Sequence, residues 1–285
     1  MRVSVLTLVR GRDDRLRRVM DGLNRQTRQP DELVVAHMQE RPPAGMPDMP
    51  FPVRCVRIDG EELRLAAARN AAAAAAGGGA LVFLDVDCIP HGRLVAGYLA
   101  ALDTAPTALL LGEVRYLPRV LPERLDDAVL AELGARHPAR PAVPERGLVA
   151  EPDHGQLWGL SFALSRATWN RVGGMDERFV GYGGEETDLA ARLAETGVAA
   201  FWAGGALAFH QHHPVHAPPL NHFGSILRNA TLFRERHGRW CMRYWLDGFA
   251  AMGLIRLDAD RIELLRPPSG AEVAASLAPP DARWG

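Results

Sequence analysis

The chain has 285 residues, 47% of them hydrophobic, with 33 basic and 34 acidic side chains and a formal net charge of −1. That length buries one sizeable core, so one large domain with an appendage is expected, and near-neutrality provides no field for a polyanion, which removes nucleic acid as a partner. Every basic side chain is arginine; without lysine there is no Walker-type phosphate lysine and no Schiff-base nucleophile, which excludes P-loop kinases and pyridoxal enzymes.

Val3–Val9 is a β-branched apolar run ending at Arg10, and Asp13 opens a helical pattern through Leu16, Val19, Met20 and Leu23. A second strand, Leu33–Ala36, follows the turn at Pro30-Asp31, and a third, Val53–Ile58, follows the proline-rich loop from Pro42 to Pro52. Leu63–Ala76 reads as an alanine-rich helix stopped by Gly77-Gly78-Gly79, and Ala80–Leu84 as a central strand that ends at Asp85. Alanine-rich helices alternating with buried strands indicate an α/β class with a mostly parallel sheet. In such sheets the ligand crevice lies outside the carboxyl ends of the strands, which is where Asp85 emerges.

A helix is expected around Leu94–Leu102 and a strand at Ala108–Leu111; Pro118–Pro152, rich in Pro, Arg and Glu, reads as an acceptor-side loop region. Trp158–Leu164 resumes as a strand, Arg166–Val172 as a helix, and Gly181-Tyr182-Gly183-Gly184 precedes a helix from Glu185 to about Glu195. Two short strands, Ala199–Trp202 and Ala206–Phe209, lead into His210-Gln211-His212-His213-Pro214, and helices follow at Leu220–Arg236 and Met242–Leu254. The last thirty residues read as a loosely attached tail. Cys55, Cys88 and Cys241 are in no metal-binding spacing and read as reduced thiols. Met1 leads directly into a strand with no signal sequence and no long apolar run, so a cytoplasmic protein without a transmembrane segment is expected.

Three constellations carry chemistry. Asp85-Val86-Asp87 places alternate carboxylates on a turn after a buried strand, where they can share a hard divalent cation and its phosphate ligand. Haloacid-dehalogenase-like phosphatases use a similar pair with the first Asp as nucleophile, but here Cys88-Ile89-Pro90 replaces the usual Gly-Thr and no lysine is present. Next, the glycine stretch delivers Glu185, Glu186 and Asp188 to the first turn of a helix, whose dipole favours their ionised form while mutual repulsion raises the proton affinity of one. Good first-turn helix residues are the plain alternative; the glycine density favours a hinge or lid. Third, His210 follows an apolar strand and can complete a metal site begun by Asp87. A separate zinc site from His210, His212 and His213 is a lesser alternative, because the spacing lacks the i, i+4 arrangement of zincins.

In this order the three pieces resemble the GT-A glycosyltransferases of family 2, with a carboxyl-terminal half similar to β-1,4-galactosyltransferase-type families. Val82–Pro90 resembles the donor motif Asp-Val-Asp followed by Ile-Pro, and Leu160–Asp188, with Ser161 to Ser165, Gly173-Gly174 and Gly183-Gly184-Glu185, is similar to the acceptor segment. The resemblance implies a Rossmann-like GT-A sheet flanked by helices with a helical extension: residues 1–115 as nucleotide-sugar half, 116–213 as acceptor and catalytic half, 214–285 as extension and tail. It implies Asp87 and His210 as ligands of Mn²⁺ (or Mg²⁺), Asp85 near the donor ribose and diphosphate with Val86 beside it, and nucleotide contacts from Thr7 to Arg10, Val9 included. Arg64, Arg69 and Asn70 would face the donor, with Tyr182 as a mobile-loop aromatic. Trp158, Gly159, Gly184, Glu185 and Glu186 would hold the acceptor.

Glu186 stands where the family carries its Asp base, one methylene longer, and Ala36 to Glu40 replaces the Asp pair that recognises uracil. The expected activity is inverting transfer of a galactose-, N-acetylgalactosamine- or glucose-type hexose from a UDP-sugar to an acceptor hydroxyl, with Glu186 as base. The acceptor (glycan, small molecule, lipid or peptide) is not named by the sequence. An inactive sugar-nucleotide or glycan-binding scaffold is the alternative. Trp240, Tyr244 and Trp245 read as internal packing, with an acceptor wall or a homo-oligomer face left open.

Overall fold

The computed structural model describes residues 1–283. In chain order it contains β1 (Val3–Val9), α1 (Asp13–Asn24), β2 (Glu32–His37), β3 (Val53–Arg57), α2 (Leu65–Ala75), β4 (Ala80–Leu84), β5 (Cys88–Pro90), α3 (Leu94–Thr104) and β6 (Leu109–Tyr116). The second half adds α4 (Asp127–Leu133), β7 (Ala135–Arg136), β8 (Leu148–Glu151), β9 (Ser161–Ser165), α5 (Arg166–Val172), α6 (Glu185–Glu195) and β10 (Ala200–His210). The extension holds α7 (Phe223–His237), α8 (Arg243–Ala251), the hairpin of β11 (Ile255–Leu257) and β12 (Ile262–Leu264), and α9 (Gly270–Ala275).

One sheet runs β3-β2-β1-β4-β9-β6-β10-β5, with β7 on β6 and β8 on β10. Its first four strands are parallel. β9 then enters antiparallel between β4 and β6, and β10 lies parallel to β6. The apolar faces are covered on both sides: α1 and α3 pack with Val5, Val82 and Leu110, while the alanines of α2 pack with Phe83, Phe162 and Trp169 on the other face. Small side chains on α2 let it lie close to the sheet; Ala66, Ala68 and Ala72 are at most 1% exposed. The extension has its own apolar cluster, built on Phe223, Phe233, Leu246 and Phe249. Among the described residues no helix is long and apolar enough to cross a membrane, and Cys55, Cys88 and Cys241 are unpaired.

Several expectations change. The two short strands at 199–209 are one strand, β10, whose register on β6 shifts between Trp202 and Leu207. A glycine pair there looks like a break in the sequence, but a Cβ on Gly97 would come 2.7 Å from the backbone of Gly205 and Ala206, so α3 needs this flat stretch to approach. β6 continues past Leu111 to Tyr116 because β10 pairs with it along that length. The strand expected from Trp158 begins at Ser161, leaving Trp158 and Gly159 in the loop before it. The 118–152 region is not merely loop, since α4, β7 and β8 lie in it. Nor is the end of the chain loosely attached: α9 carries a capping box at Ser269 and Glu272, and Ala278 donates to the Val215 carbonyl at 2.8 Å. Residues 284–285 of that expected tail lie outside the described residues.

The close approach of α3 to β10 gives a stability test. Gly97→Ala should cost about 1–3 kcal/mol by overpacking, whereas Gly224→Ala, exposed in α7 with open space around it, should be neutral or stabilise by up to ~1 kcal/mol. Urea denaturation of both variants checks the pair; equal stabilities would contradict the packing.

Candidate active site

β4 is buried along its whole length, so the chain emerges at the sheet's carboxyl edge with Asp85 as its first polar residue. The turn is fixed by backbone bonds from Asp85 N–H to the Leu160 carbonyl and from Cys88 N–H to the Asp85 carbonyl, both 2.9 Å. β5 then pairs with β10, placing His210 opposite Cys88, and the Gln211 N–H donates to the Asp87 carbonyl at 2.6 Å. Strand pairing therefore puts His210 beside Asp87, far apart in sequence though they are. Ligand atoms of Asp87, His210 and His213 lie within 4.8 Å of one another. A carboxylate and two imidazoles suit a divalent transition ion. Burial first, and the neighbouring His213 second, push His210 down to about 3, so it is a neutral ring with a lone pair to give.

The Asp87 side chain is 2% exposed and its carboxylate is matched by arginines at the start of α1: Arg12, just before the helix, bonds one oxygen and Arg15 the other, the latter at 2.8 Å. Arg15 also donates to the His212 carbonyl at 2.9 Å, and Arg18 to the Gln211 side chain at 3.1 Å. The face of α1 thus clamps the histidine segment. Asp85 sits between two groups of charge. Burial and the Asp87 carboxylate raise its pKa, while His210, Arg69 and Arg12 act in the opposite direction.

The second group centres on Arg69 of α2, whose side chain is 6% exposed. Its Nη2 lies 2.7 Å from Glu186 Oε1 and its Nη1 3.6 Å from Glu185 Oε1. Burial works against the guanidinium charge, but Glu186, Glu185 and Asp85 hold the proton on and raise its pKa. Glu185 is 3% exposed, and burial followed by the Glu186 charge pushes its carboxyl well up. Glu186 is the more open of the two at 17% side-chain exposure. It lies against the Gly159 backbone, where a Cβ would come 2.2 Å from Glu186 Oε1 and where φ is +72°, so only glycine fits. Thr7, Arg69, Asp85 and Gly159 line one recess, and the buried Thr7 hydroxyl is without a hydrogen-bond partner among the described residues.

The structure does not bring every expected residue to this recess by its side chain. Val9 and Val86 are 1% and 3% exposed and pack in the core, leaving only their backbone for a ligand. Asn70 spends its amide on the Met175 backbone and Glu177. Arg10 donates to the Glu61 carbonyl and Arg64 to the Asp59 carbonyl, so both side chains are tied to the loop before α2. Tyr182, raised to about 12 by burial and then by Glu186 and Glu185, is stacked on His222 at 4.4 Å and packs near Trp245.

That packing corrects the hinge reading of the glycine loop. Asn229 of α7 donates to the carbonyls of Val180, Tyr182 and Gly183, the last at 2.7 Å. Gly183 and Gly184 have Met242, Phe179 and Asn229 where side chains would go, so the glycines admit the extension rather than free the loop. Beneath it, Asp188 is fully buried and bonds Arg192 at 2.8 Å and His237 of α7 at 3.0 Å. The residues that sequence reading passed over, Arg12 and Arg15, carried one signal: an i, i+3 spacing at the start of a helix directly after β1.

Residues 4–124 match the family model described as glycosyl transferase family 2, and residues 152–216 the one described as N-terminal domain of galactosyltransferase. The chain is 28% identical over 163 residues to the N-acetylglucosaminyl-diphospho-decaprenol L-rhamnosyltransferase of Mycobacterium tuberculosis, covering 55% of this chain and 52% of that one. It is 29% identical over 224 residues to the validoxylamine A glucosyltransferase of Streptomyces hygroscopicus, covering 69% and 48%. The chain spans about half the length of these curated relatives. Among solved structures, GalNAc-T7 with UDP, GalNAc and Mn²⁺ aligns at a TM-score of 0.57 and 15% identity, over 88% of this chain and 57% of that one. Staphylococcus aureus TarS 1-349 with UDP-GlcNAc aligns at 0.56 and 12%, over 81% and 66%. The fold is that of the GT-A glycosyltransferases.

Glu185 makes the site's charge balance measurable. Its native carboxyl holds a proton more tightly than the unfolded chain, whose ordinary value is 4.5, so above that pH unfolding releases a proton and stability falls as pH rises. Glu185→Gln should flatten this slope in urea unfolding followed from pH 5 upward. Parallel profiles for the two proteins would contradict the burial of an acid there.

Proposed function

We propose that this chain, a GT-A fold joining a family 2 first half to a galactosyltransferase-like second half, is an inverting, metal-dependent glycosyltransferase. It moves a galactose-, N-acetylgalactosamine- or glucose-type hexose from a UDP-sugar to an acceptor hydroxyl. The observation that carries the reading is the pairing of two charge clusters around Asp85: the Asp87, His210 and His213 group on one side, and Glu186 held by Arg69 on the other. The rhamnosyl- and glucosyltransferase relatives support glycosyl transfer, and the UDP and Mn²⁺ in the GalNAc-T7 structure support the donor and ion.

Each residue has a task. Asp87, His210 and His213 would hold a divalent cation such as Mn²⁺, which supplies charge for the diphosphate leaving group. Thr7 offers its unpartnered hydroxyl to the donor on the recess wall, and Arg12 and Arg15 keep positive charge beside the phosphates. Glu186 accepts the proton of the acceptor hydroxyl as that oxygen bonds to the anomeric carbon and the bond to the diphosphate oxygen breaks. One displacement inverts the centre. Arg69 holds the Glu186 carboxylate in place through their ion pair, and Gly159 leaves the space in which it lies. Trp158, 38% exposed next to Gly159, offers an aromatic face to the acceptor.

Glu186→Gln should bind UDP with Mn²⁺ within about threefold of the parent, since it keeps shape and polarity, yet lose about 10²- to 10⁴-fold in transfer. Asp87→Ala should abolish the Mn²⁺-dependent rise in melting temperature with UDP, a rise worth about 2.7 kcal/mol at a ligand concentration of 100 times Kd. Calorimetry and a UDP-release assay check both. Full turnover by Glu186→Gln removes the base assignment, and UDP stabilisation that survives Asp87→Ala removes the ion's.

A further inference from the structure

Beyond the donor side, a second recess opens between β6 and the loop before β9, lined by residues that include Tyr116, Arg140, Gln156, Trp158, Ser161 and Trp202. Arg140 is one of its lining residues. The guanidinium carbon lies 3.3 Å from the centroid of the Trp158 ring and 5.2 Å from that of Trp202. Nη1 donates to the Gln156 carbonyl at 2.6 Å and to its side-chain oxygen at 2.5 Å. Among the described residues its Nε and Nη2 donors have no acceptor, and no carboxylate stands within ion-pairing distance.

This sets Arg140 apart from the other inward-facing arginines. Arg15 has Asp87, Arg69 has Glu185 and Glu186, and Arg192 has Asp188. The acids nearest in charge to Arg140, Glu151 and Asp153, are committed elsewhere. Glu151 accepts from Trp202 Nε1 at 2.8 Å and from the Asp153 N–H at 2.9 Å, and Asp153 accepts from the Gly155 N–H at 2.8 Å. Burial lowers the Arg140 pKa only to about 10, so the group stays charged at neutral pH. A half-buried cation without a counter-ion is less well solvated than a surface one and gains from a ligand that brings a negative charge. Stacking on Trp158 fixes the guanidinium plane and leaves its N–H edge free, the arrangement that grips a phosphate or carboxylate through two parallel bonds.

We propose that Arg140, braced by Trp158 and Trp202, receives an anionic group of the acceptor, either a phosphate ester or the carboxylate of an acidic sugar. The inference rests on the acceptor-side reading given above. Trp158 runs directly into Gly159 beside Glu186, and Tyr116, which lines the same recess, packs its ring 4.9 Å from His210. A negative group held at Arg140 therefore lies on the same side as the attacking hydroxyl, and a neutral acceptor leaves the cation unmatched.

The test uses three hexoses that differ in the charge at one carbon: glucose 6-phosphate, glucuronate and glucose. They are titrated by calorimetry into the full chain with UDP and Mn²⁺ present and again without, for the parent, Arg140→Gln and Arg140→Lys. The parent should bind at least one of the two anions about tenfold or more tighter than glucose, and Arg140→Gln should bring that preference to within about twofold. Arg140→Lys should keep part of it, since a point charge remains but the paired geometry is lost. Preference for glucose 6-phosphate assigns the phosphate ester, preference for glucuronate the acidic sugar. No discrimination by the parent, or discrimination that Arg140→Gln retains, overturns the proposal. If Arg140→Gln does not fold, Arg140→Lys decides: an undiminished preference overturns it. UDP binding is read separately, so Arg140-dependent discrimination without UDP binding keeps this site and removes the donor assignment.

Discussion

A carboxylate buried as deeply as Asp87 has to be matched by positive charge or by a cation, and much of the molecule's architecture at the sheet's carboxyl edge meets that demand. The turn after β4 puts Asp87 at 2% exposure, the start of α1 sends Arg12 and Arg15 to its two oxygens, and His210 at the end of β10 and His213 just past it lie beside it. The two arginines are not equivalent. Arg12 is 42% exposed, whereas Arg15 is 18% exposed and tied also to the carbonyls of Gln211 and His212. Arg12 is the more open partner of the pair, and Arg15 the one that also ties the histidine segment in place.

The same economy governs the opposite wall. Three carboxyls, those of Asp85, Glu185 and Glu186, act on a single buried guanidinium, and burial raises the proton affinity of Asp85 and, more strongly, of Glu185. Glu186 is the better exposed of the two glutamates and the closer to Arg69. β9, inserted antiparallel beside β4, brings the 158–160 loop to Asp85 through the Leu160 carbonyl, so Asp85, Trp158 and Gly159 share one edge. α7 then fastens the glycine loop through Asn229 and the base of α6 through the Asp188–His237 pair. The extension is thereby a structural part of the site wall.

Much of the frame could be read from residue order. Apolar runs bounded by glycine and proline located β1, β4 and the alanine helix, and a carboxylate pair leaving a buried strand pointed to the edge where ligands bind. Glu186 and His210 stood out because each follows a clear element boundary. What escaped depended on pairing across the chain. The partnership of Arg12 and Arg15 with Asp87 needs α1 to lie over β5. The unbroken β10 needs β6 along its flank, because its Gly204-Gly205 reads locally as an end. The glycines at 181–184 read as a hinge in sequence because it shows the missing side chains but not Ser225, Asn229 and Met242 filling their space. Arg140 was hidden for a similar reason: an arginine in a proline-rich stretch gives no sign that two tryptophans will enclose it.

The central claim is that Asp87, His210 and His213 together hold the ion on which donor binding depends. Pulsed electron paramagnetic resonance of Mn²⁺ added with UDP reads this directly, because imidazole nitrogen bound to manganese leaves a characteristic modulation. The account expects nitrogen from two histidines in the parent and from one in His213→Ala. Mn²⁺ bound with UDP but showing no histidine nitrogen, or an unchanged signal in His213→Ala, would contradict it.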